Sequence, residues 1–456
     1  MRRLIGTSLS IALTTLGLAG CGAGDGCDAT DGGRLCGTFA QPVASITLAP
    51  SADDIAWPPA MDGDRLLVSV GPEVLSVAPS GAVETFRSSP GQTLGLPSVT
   101  AEGDVYLAAR GLSGVHVDAL GTAVWSSNIG GDVSLTPPTV ANDTVHVATQ
   151  GDAAMLTSID RQSGEVLKQR EDASPAVVAA SGDTVYLRSS SLVTVPGRDE
   201  PIRQFAEVIA EAADGTQRWS HIEPEGVVDF APGGDNEVYI VTGDNTLRRI
   251  DGDGTVAWTF VPPCDTCSVA AGPTVTSDTV YFPVWETQPE EPDPVWVDPL
   301  YALTKDGQLR WIYDGVVTNT KRLDSRKLLS ASPAADPASV AVEHIRHPVG
   351  RPVITADRRL FVAADGGVVA LDDSGREIGR VDYDRSAGET RTTRGWGETD
   401  FEYRNMATMP APVLSEDGRL FVLDGRELRI YDTGTPALDA PWVAPFGGPT
   451  NAGRAR

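Results

Sequence analysis

The residues with the widest chemical range in this chain are its five cysteines, Cys21, Cys27, Cys36, Cys264 and Cys267. A thiolate can bind a metal, attack a substrate or pair with a second thiol. The Cys264-Asp265-Thr266-Cys267 spacing fits a redox pair or half of a metal site. A zinc ribbon needs a second such pair, and haem attachment needs a histidine where Ser268 stands. A thioredoxin-like site needs a helix after the motif, so a staple across a local loop is the expected use. Of five histidines, only His344 and His347 lie close in sequence, beside Arg346. Two imidazoles make an incomplete site, and a basic neighbour disfavours a cation. Asp251-Gly252-Asp253-Gly254 has the look of a calcium loop but lacks the distal glutamate. No nucleophile elbow, phosphate loop or zinc-protease motif occurs. No catalytic, metal-binding or cofactor-binding residue is therefore expected.

Cys21 has a different context. Arg2 and Arg3 precede an apolar run from Leu4 to about Leu18, and Leu18-Ala19-Gly20-Cys21 follows. The run is short for a bilayer span and ends in small residues, which marks a cleaved secretory segment. An aliphatic residue, two small residues and cysteine resemble the bacterial lipobox, so Cys21 is expected to be the first mature residue and to carry acyl chains. Two or more such chains, at about 0.8 kcal/mol per buried methylene, hold a protein stably on a membrane. Gly22, rather than an aspartate, follows the cysteine; by resemblance to Gram-negative sorting rules this points to the outer membrane, with either face open. In that oxidising compartment the four remaining cysteines suggest two disulfides. Proximity favours Cys27 with Cys36 and Cys264 with Cys267, although three pairings are possible.

Loss of residues 1–20 leaves 34 basic against 62 acidic side chains, a formal charge of −28. That field repels nucleic acid and anionic headgroups, so no nucleic-acid partner is expected. Gly, Pro, Val and Thr dominate over helix formers, no long helical periodicity occurs, and the chain reads as all-β.

A repeated phrase sets the architecture. Gly272 to Phe282 carries Pro-x-Val, a polar turn and Val-Tyr-Phe, and after a gap Leu300 to Trp311 carries Leu-x-Ala-Leu, an Asp-Gly turn and Trp. The phrase opens at Pro59, Pro97, Pro138, Pro175, Pro232, Pro273, Pro352 and Pro412, giving eight units. Each offers four short strands separated by Gly, Asp and Asn turns, as a β-propeller requires. The fourth and eighth units are the most eroded, so the number is open by one. Trp125, Trp219, Trp258 and Trp311 share one repeat position and are expected to pack between neighbouring blades. Residues 34–50, with Ala44 to Leu48, are expected to pair with the last blade and remove an exposed sheet edge.

The phrase Ala-Leu-Asp-x-x-Gly-x-x-x-Trp resembles the repeat of pyrroloquinoline-quinone-like β-propellers, over roughly Pro59 to Gly434; the stretch Phe446 to Arg454 is similar to a segment common in these proteins. Two relatives frame what this implies. Quinoprotein dehydrogenases are eight-bladed enzymes that hold quinone and calcium beneath a ring of adjacent cysteines. The propeller lipoprotein of the outer-membrane β-barrel assembly machinery is a non-catalytic scaffold. This chain has no adjacent cysteines and no haem motif, and it is shorter than those enzymes. The resemblance therefore implies a scaffold without cofactor.

The expected layout is a signal peptide at 1–20, the lipidated cysteine and a flexible Gly-rich tether at 21–37, an eight-bladed propeller with four antiparallel strands per blade at 38–445, and a tail at 446–456. Spacing between units stretches after Pro175, Pro273 and Pro352, so loops there are enlarged. Trp285 to Trp296 is expected as an extended acidic, proline-rich loop. Val316 to Arg351 is a basic insert. The segment 385–409 gathers Arg391, Arg394, Trp396, Phe401, Tyr403 and Arg404, the composition of a protein-interface anchor. The resulting expectation is a lipid-anchored envelope scaffold that binds another envelope protein. A surface binder of glycans or other ligands, and a degenerate quinoprotein oxidoreductase, remain as alternatives.

Overall fold

The computed structural model describes residues 42–49, 55–89, 94–100, 102–109, 113–118, 120–129, 137–149, 155–170, 177–181, 183–193, 202–212, 214–234, 236–263, 267–269, 272–288, 295–297, 299–313, 351–364, 367–382, 412–424, 427–438 and 454–455. Among these residues the regular structure is all β.

The chain enters through β1 (Ala44–Thr47) and then lays down sheets in sequence order. The first holds β2 (Ile55–Asp62), β3 (Arg65–Val70), β4 (Glu73–Val77) and β5 (Val83–Ser88). The second holds β6 (Ser98–Val99), β7 (Val105–Ala109), β8 (Ser113–Val117) and β9 (Ala123–Asn128). The third holds β10 (Thr139–Ala141), β11 (Thr144–Ala148), β12 (Leu156–Asp160) and β13 (Val166–Arg170). The fourth holds β14 (Val177–Ser181), β15 (Thr184–Val193), β16 (Ile202–Ala212) and β17 (Gln217–Ile222). The fifth holds β18 (Val227–Pro232), β19 (Val238–Thr242), β20 (Leu247–Ile250) and β21 (Val256–Phe260). The sixth holds β22 (Cys267–Val269), β23 (Thr274–Val275), β24 (Thr279–Gln288), β25 (Val295–Val297), β26 (Leu300–Thr304) and β27 (Leu309–Tyr313). The seventh holds β28 (Val353–Ile354), β29 (Leu360–Ala364), β30 (Gly367–Leu371) and β31 (Glu377–Asp382). The eighth holds β32 (Val413–Leu414), β33 (Arg419–Asp424) and β34 (Glu427–Asp432), with β1 as its fourth strand; β35 (Arg454–Ala455) joins the fourth sheet.

In most sheets sequential strands pair antiparallel; in the sixth, β22, β23, β25 and β26 all pair antiparallel with β24, and in the fourth, β35 adds to β14 in parallel. First strands of neighbouring sheets contact one another around an axis. The architecture is a β-propeller with four-stranded antiparallel blades. Burial follows from it. β19 is buried at every position, because a middle strand is covered on both faces by neighbouring blades, whereas the outermost β21 is half-buried to exposed. This is why the Val-Tyr-Ile-Val runs are continuous rather than alternating.

Apolar contacts link the blades in order. Leu67 and Val74 of the first blade pack on Val99 and Val105 of the second. Tyr186, Phe230 and Phe282 belong to one cluster that spans the fourth, fifth and sixth. Ile46, Leu66 and Val68 pack against Phe421 and Ile430, so the sheet of β1 and β32–β34 meets the first. β1 pairs Ala44 with Ile430 and Thr47 with Glu427, which covers the outer edge of β34 with the N-terminal strand.

Several sequence expectations change in detail. The phrase marked by proline does not always open a sheet: Pro59 lies inside β2, and Pro232 ends β18. The two ends of the acidic insert, 285–288 and 295–296, are strand rather than loop. β24 runs on past Pro283 to Gln288, and β25 returns along it with Thr287 opposite Trp296. The stretch after Pro175 is taken up by longer strands, β15 and β16, paired from Thr184–Ala212 out to Val193–Ile202. Of the 446–456 segment the described residues, Arg454 and Ala455, pair in parallel with Ala180 and Ser181.

Candidate interaction faces

The tryptophans show how one repeat position locks a blade to the next. Trp258 of β21 donates its indole N–H to the Lys305 carbonyl of the following blade at 2.8 Å, and Trp125 and Trp311 do the same to Arg161 and Asp373 at 3.0 and 2.9 Å. The ring lies against a turn glycine. Gly307 has φ +79°, and a Cβ there would stand 2.6 Å from Trp258 Cδ2. Only glycine meets both demands. The Asp-x-x-Gly and Trp of the repeat are thus two halves of one contact between blades. Trp219 is buried, while Trp125, Trp258 and Trp311 are half-buried at the rim. Each also packs on a buried tyrosine of its own blade, with centroids 6.0 Å apart for Tyr106–Trp125 and Tyr186–Trp219, 5.9 Å for Tyr239–Trp258 and 5.8 Å for Tyr281–Trp311. The Val-Tyr signal was visible in the sequence; its pairing with Trp was not.

In each sheet the turn after the first strand and the turn after the third lie on one face of the propeller. That face is closed by ion pairs. Arg161 Nη2 meets Glu102 Oε2 at 2.8 Å and Asp104 Oδ2 at 2.9 Å on the preceding blade. Arg358 bonds Asp278 on the blade before it at 2.9 Å and Asp373 on its own at 3.0 Å. Burial raises the Asp278 pKa, but hydrogen bonds and charge from Arg358, with Thr276 and Thr279, outweigh it and hold the carboxyl at about 2. Lys305 pairs with Glu237 of the preceding blade. The Asp251-Gly252-Asp253-Gly254 turn is on this face too. Asp253 Oδ1 accepts from Thr255 N at 3.0 Å and Thr255 Oγ1 at 2.6 Å, and Asp251 pairs with Arg249 at 2.9 Å. Its carboxylates serve the hairpin and a guanidinium. Among the described residues no group of three or more His, Cys, Asp or Glu side chains converges as metal ligands.

The opposite face is uneven. The β15–β16 and β24–β25 hairpins both extend there, from the fourth and sixth blades. Between them the fifth blade makes only a short turn from Thr242 to Thr246. At the base, Arg248 Nη1 holds the buried Glu223 at 2.6 Å, and Asp244 lies 3.4 Å from Arg248 Nη2. Arg188 donates to the Val227 carbonyl at 3.2 Å and also bonds that of Val228. Two long hairpins thus flank a low, charged blade.

Of the residues singled out by sequence, Cys267 lies in β22, its backbone opposite Glu286. Cys21, Cys27, Cys36, Cys264, Arg391, Arg394, Trp396, Phe401, Tyr403 and Arg404 lie outside the described residues, as do His344 and His347. Of the basic insert only Arg351 is described, buried and paired with Asp229. Among the described residues no helix is long and apolar enough to cross a membrane.

Comparison with known proteins agrees with this architecture. The family model described as outer membrane protein assembly factor BamB matches residues 171–378, from just before β14 into β31. Among solved structures, the computationally designed Ika8 protein is 10% identical, with 87% of this chain and 100% of that one covered and a TM-score of 0.54. The C-terminal WD40 domain of Sif2 is 12% identical, with 87% and 98% covered and a TM-score of 0.53. BamB from Moraxella catarrhalis is 15% identical, with 82% and 95% covered and a TM-score of 0.48. No curated protein matches the chain by sequence. The chain is a β-propeller that, over residues 171–378, is similar to the BamB family of pyrroloquinoline-quinone-like propellers.

Proposed function

We propose that this protein is a non-enzymatic, lipid-anchored scaffold with an eight-bladed ring, docking another envelope protein during outer-membrane protein assembly. The observation that carries the reading is the position of the family match. Residues 171–378 include both long hairpins and the low blade between them, the most uneven part of the described surface. Support for eight blades comes from the eight sheets among the described residues and the packing of the eighth on the first. Cys21 supplies the anchor in this reading, and Arg391, Arg394, Trp396, Phe401, Tyr403 and Arg404 supply further interface contacts. Cys27 with Cys36 and Cys264 with Cys267 are the pairings that proximity in sequence favours for its disulfides.

A rigid ring suits this role, because docking through preformed hairpins loses little conformational entropy on binding. The test places a photo-crosslinking residue at Ser191 or Thr287 in the hairpins, or at Lys168 on an outer strand as control, in the lipid-anchored protein in intact membranes. Adducts with barrel-assembly components from the hairpin positions, absent from Lys168, are expected. Adducts from neither hairpin, or equally from all three positions, overturn the scaffold reading. Cys21→Ser is expected to move the protein from the membrane to the soluble fraction.

A further inference from the structure

The first strand of every propeller blade leaves one backbone edge facing the central channel, unpaired by its own sheet. Two of these edges are covered by the same stretch of chain. After β34 the chain turns inward: Arg359 Nη2 donates to the Thr433 carbonyl at 2.8 Å and to Thr435 Oγ1 at 2.7 Å. Pro436 to Leu438 then run antiparallel along the end of β28. Ala356 N donates to the Pro436 carbonyl and Leu438 N to the Ile354 carbonyl, each at 2.8 Å, with Thr355 opposite Ala437. Thr355 N turns the other way, to Arg359 of its own hairpin at 3.0 Å, so alternate backbone groups serve the blade and the added segment. Leu438 packs on the cluster of Tyr281, Leu300 and Ile354. Further on, Arg454 and Ala455 add in parallel to the inner edge of β14, next to β10.

Both additions lie at the end of the first strand where the ion-paired turns cluster, and the two blades are separated by the fifth and sixth. From this arrangement we infer that the inner edges of β14 and β28 form a strand-addition surface at the turn-side mouth of the channel. Its resident occupant is this chain's own segment, Pro436–Leu438 and Arg454–Ala455. Strand addition takes its affinity from main-chain hydrogen bonds and is tolerant of side-chain identity. An edge that accepts Arg454 and Ala455 accepts an extended peptide of the same sequence when its own segment is removed. Tethering gives that segment an effective concentration in the millimolar range, so it excludes an outside strand from the full chain. The surface is on the face opposite the two long hairpins. It stands or falls independently of the scaffold reading.

The test uses the full chain and a variant ending at Leu438, which retains every strand from β1 to β34 and the contact on β28. Amide exchange of residues 177–181 is expected to be faster in the shortened protein. A fluorescent peptide of residues 446–456 is expected to bind that variant, and the full chain about a hundredfold more weakly or less. Unchanged exchange at 177–181, or binding of the peptide to both forms alike or to neither, overturns the inference. Should the shortened chain fail to fold, full-length Ala455→Pro removes one backbone donor and is followed by the same exchange and peptide-binding measurements, with the same outcomes supporting or overturning the inference. Crosslinking from Ser191 or Thr287 is expected to be unaffected by either variant, which separates this outcome from that of the scaffold reading.

Discussion

Arg351, at the entry to the seventh blade, forms a buried ion pair with Asp229 of the fifth, reaching past Gly272 at the entry to the sixth. The pair links blades that are not neighbours. A Cβ on Gly272 would collide with both the Arg351 guanidinium and the Asp229 carboxylate. Arg351 Nη1 is buried with no hydrogen-bond partner, so the pair is not fully satisfied. Removing one partner strands a buried charge, and Asp229→Ala is expected to lower stability by about 3–5 kcal/mol. The double variant Asp229→Leu, Arg351→Met is expected to lose far less, because an apolar pair of similar volume avoids the desolvation of two charges. Urea midpoints of Asp229→Ala, of the single variants Asp229→Leu and Arg351→Met, and of the double variant measure this. A double variant as unstable as the sum of the singles would show that the charges themselves hold the blades.

Gly307 and Trp258 give a sharper test of the contact between adjacent blades. Gly307→Ala introduces a side chain at φ +79° and drives it into the indole. The expected loss is roughly 2–4 kcal/mol, part from the left-handed backbone and part from overpacking. Trp258→Phe keeps most of the packing and removes the bond to the Lys305 carbonyl, with an expected loss of about 1 kcal/mol. Guanidinium unfolding followed by far-ultraviolet circular dichroism measures both. A larger loss for Trp258→Phe than for Gly307→Ala would contradict the geometry.

The propeller was legible because its signals are local and recur. Pro-x-Val, Val-Tyr and Asp-Gly-to-Trp each specify a strand or turn within a few residues, and the recurrence of Trp125, Trp219, Trp258 and Trp311 fixed their register. Closure by Ala44 to Thr47 was legible too, because an incomplete last unit and a stray N-terminal strand answer each other. What sequence reading missed is set by tertiary neighbours. Nothing in the composition of Arg351 marks it as the partner of Asp229, 122 residues away, and it stood in a basic insert that suggested solvent. The ends of the Trp285–Trp296 segment were misread because its prolines and glutamates signal a loop, while the flanking Val-Trp alternation that pairs β24 with β25 is short. The addition of Arg454 and Ala455 to β14 leaves no sequence signal, since a parallel pair of two residues has no periodicity to find.

Ile46 is the apolar anchor of the closing strand, buried against the cluster of Met61, Phe421 and Ile430. Ile46→Ala is expected to lower stability by about 2–5 kcal/mol, through lost transfer free energy and the cavity left behind. Deleting residues 42–49 goes further, because it bares the outer edge of β34, whose Glu427 to Ile430 now pair with β1. An unprotected edge strand pairs with other chains. The deletion is expected to give concentration-dependent self-association in sedimentation velocity, and a monomer at all concentrations would show that β1 does not guard that edge.

His146 is expected to make the fold sensitive to mild acid. It is buried in β11, with Nδ1 3.1 Å from Ser158 Oγ and Nε2 buried without a hydrogen-bond partner. Burial, reinforced by the charges of Arg170 and Lys168, lowers its pKa from 6.5 to about 4. In the unfolded chain the imidazole takes up a proton as pH falls through 6.5, while in the folded protein it stays neutral down to about 4. Its contribution is therefore fully present above pH 6.5 and is lost progressively toward pH 4, by up to about 3 kcal/mol. His146→Gln removes the titrating group and keeps a hydrogen-bonding side chain beside Ser158. The difference in urea midpoint between the parent and the variant is expected to shift in favour of the variant across that interval and to be constant above it. Parallel midpoint curves from pH 7 to pH 4 would show that His146 takes up its proton in the folded blade.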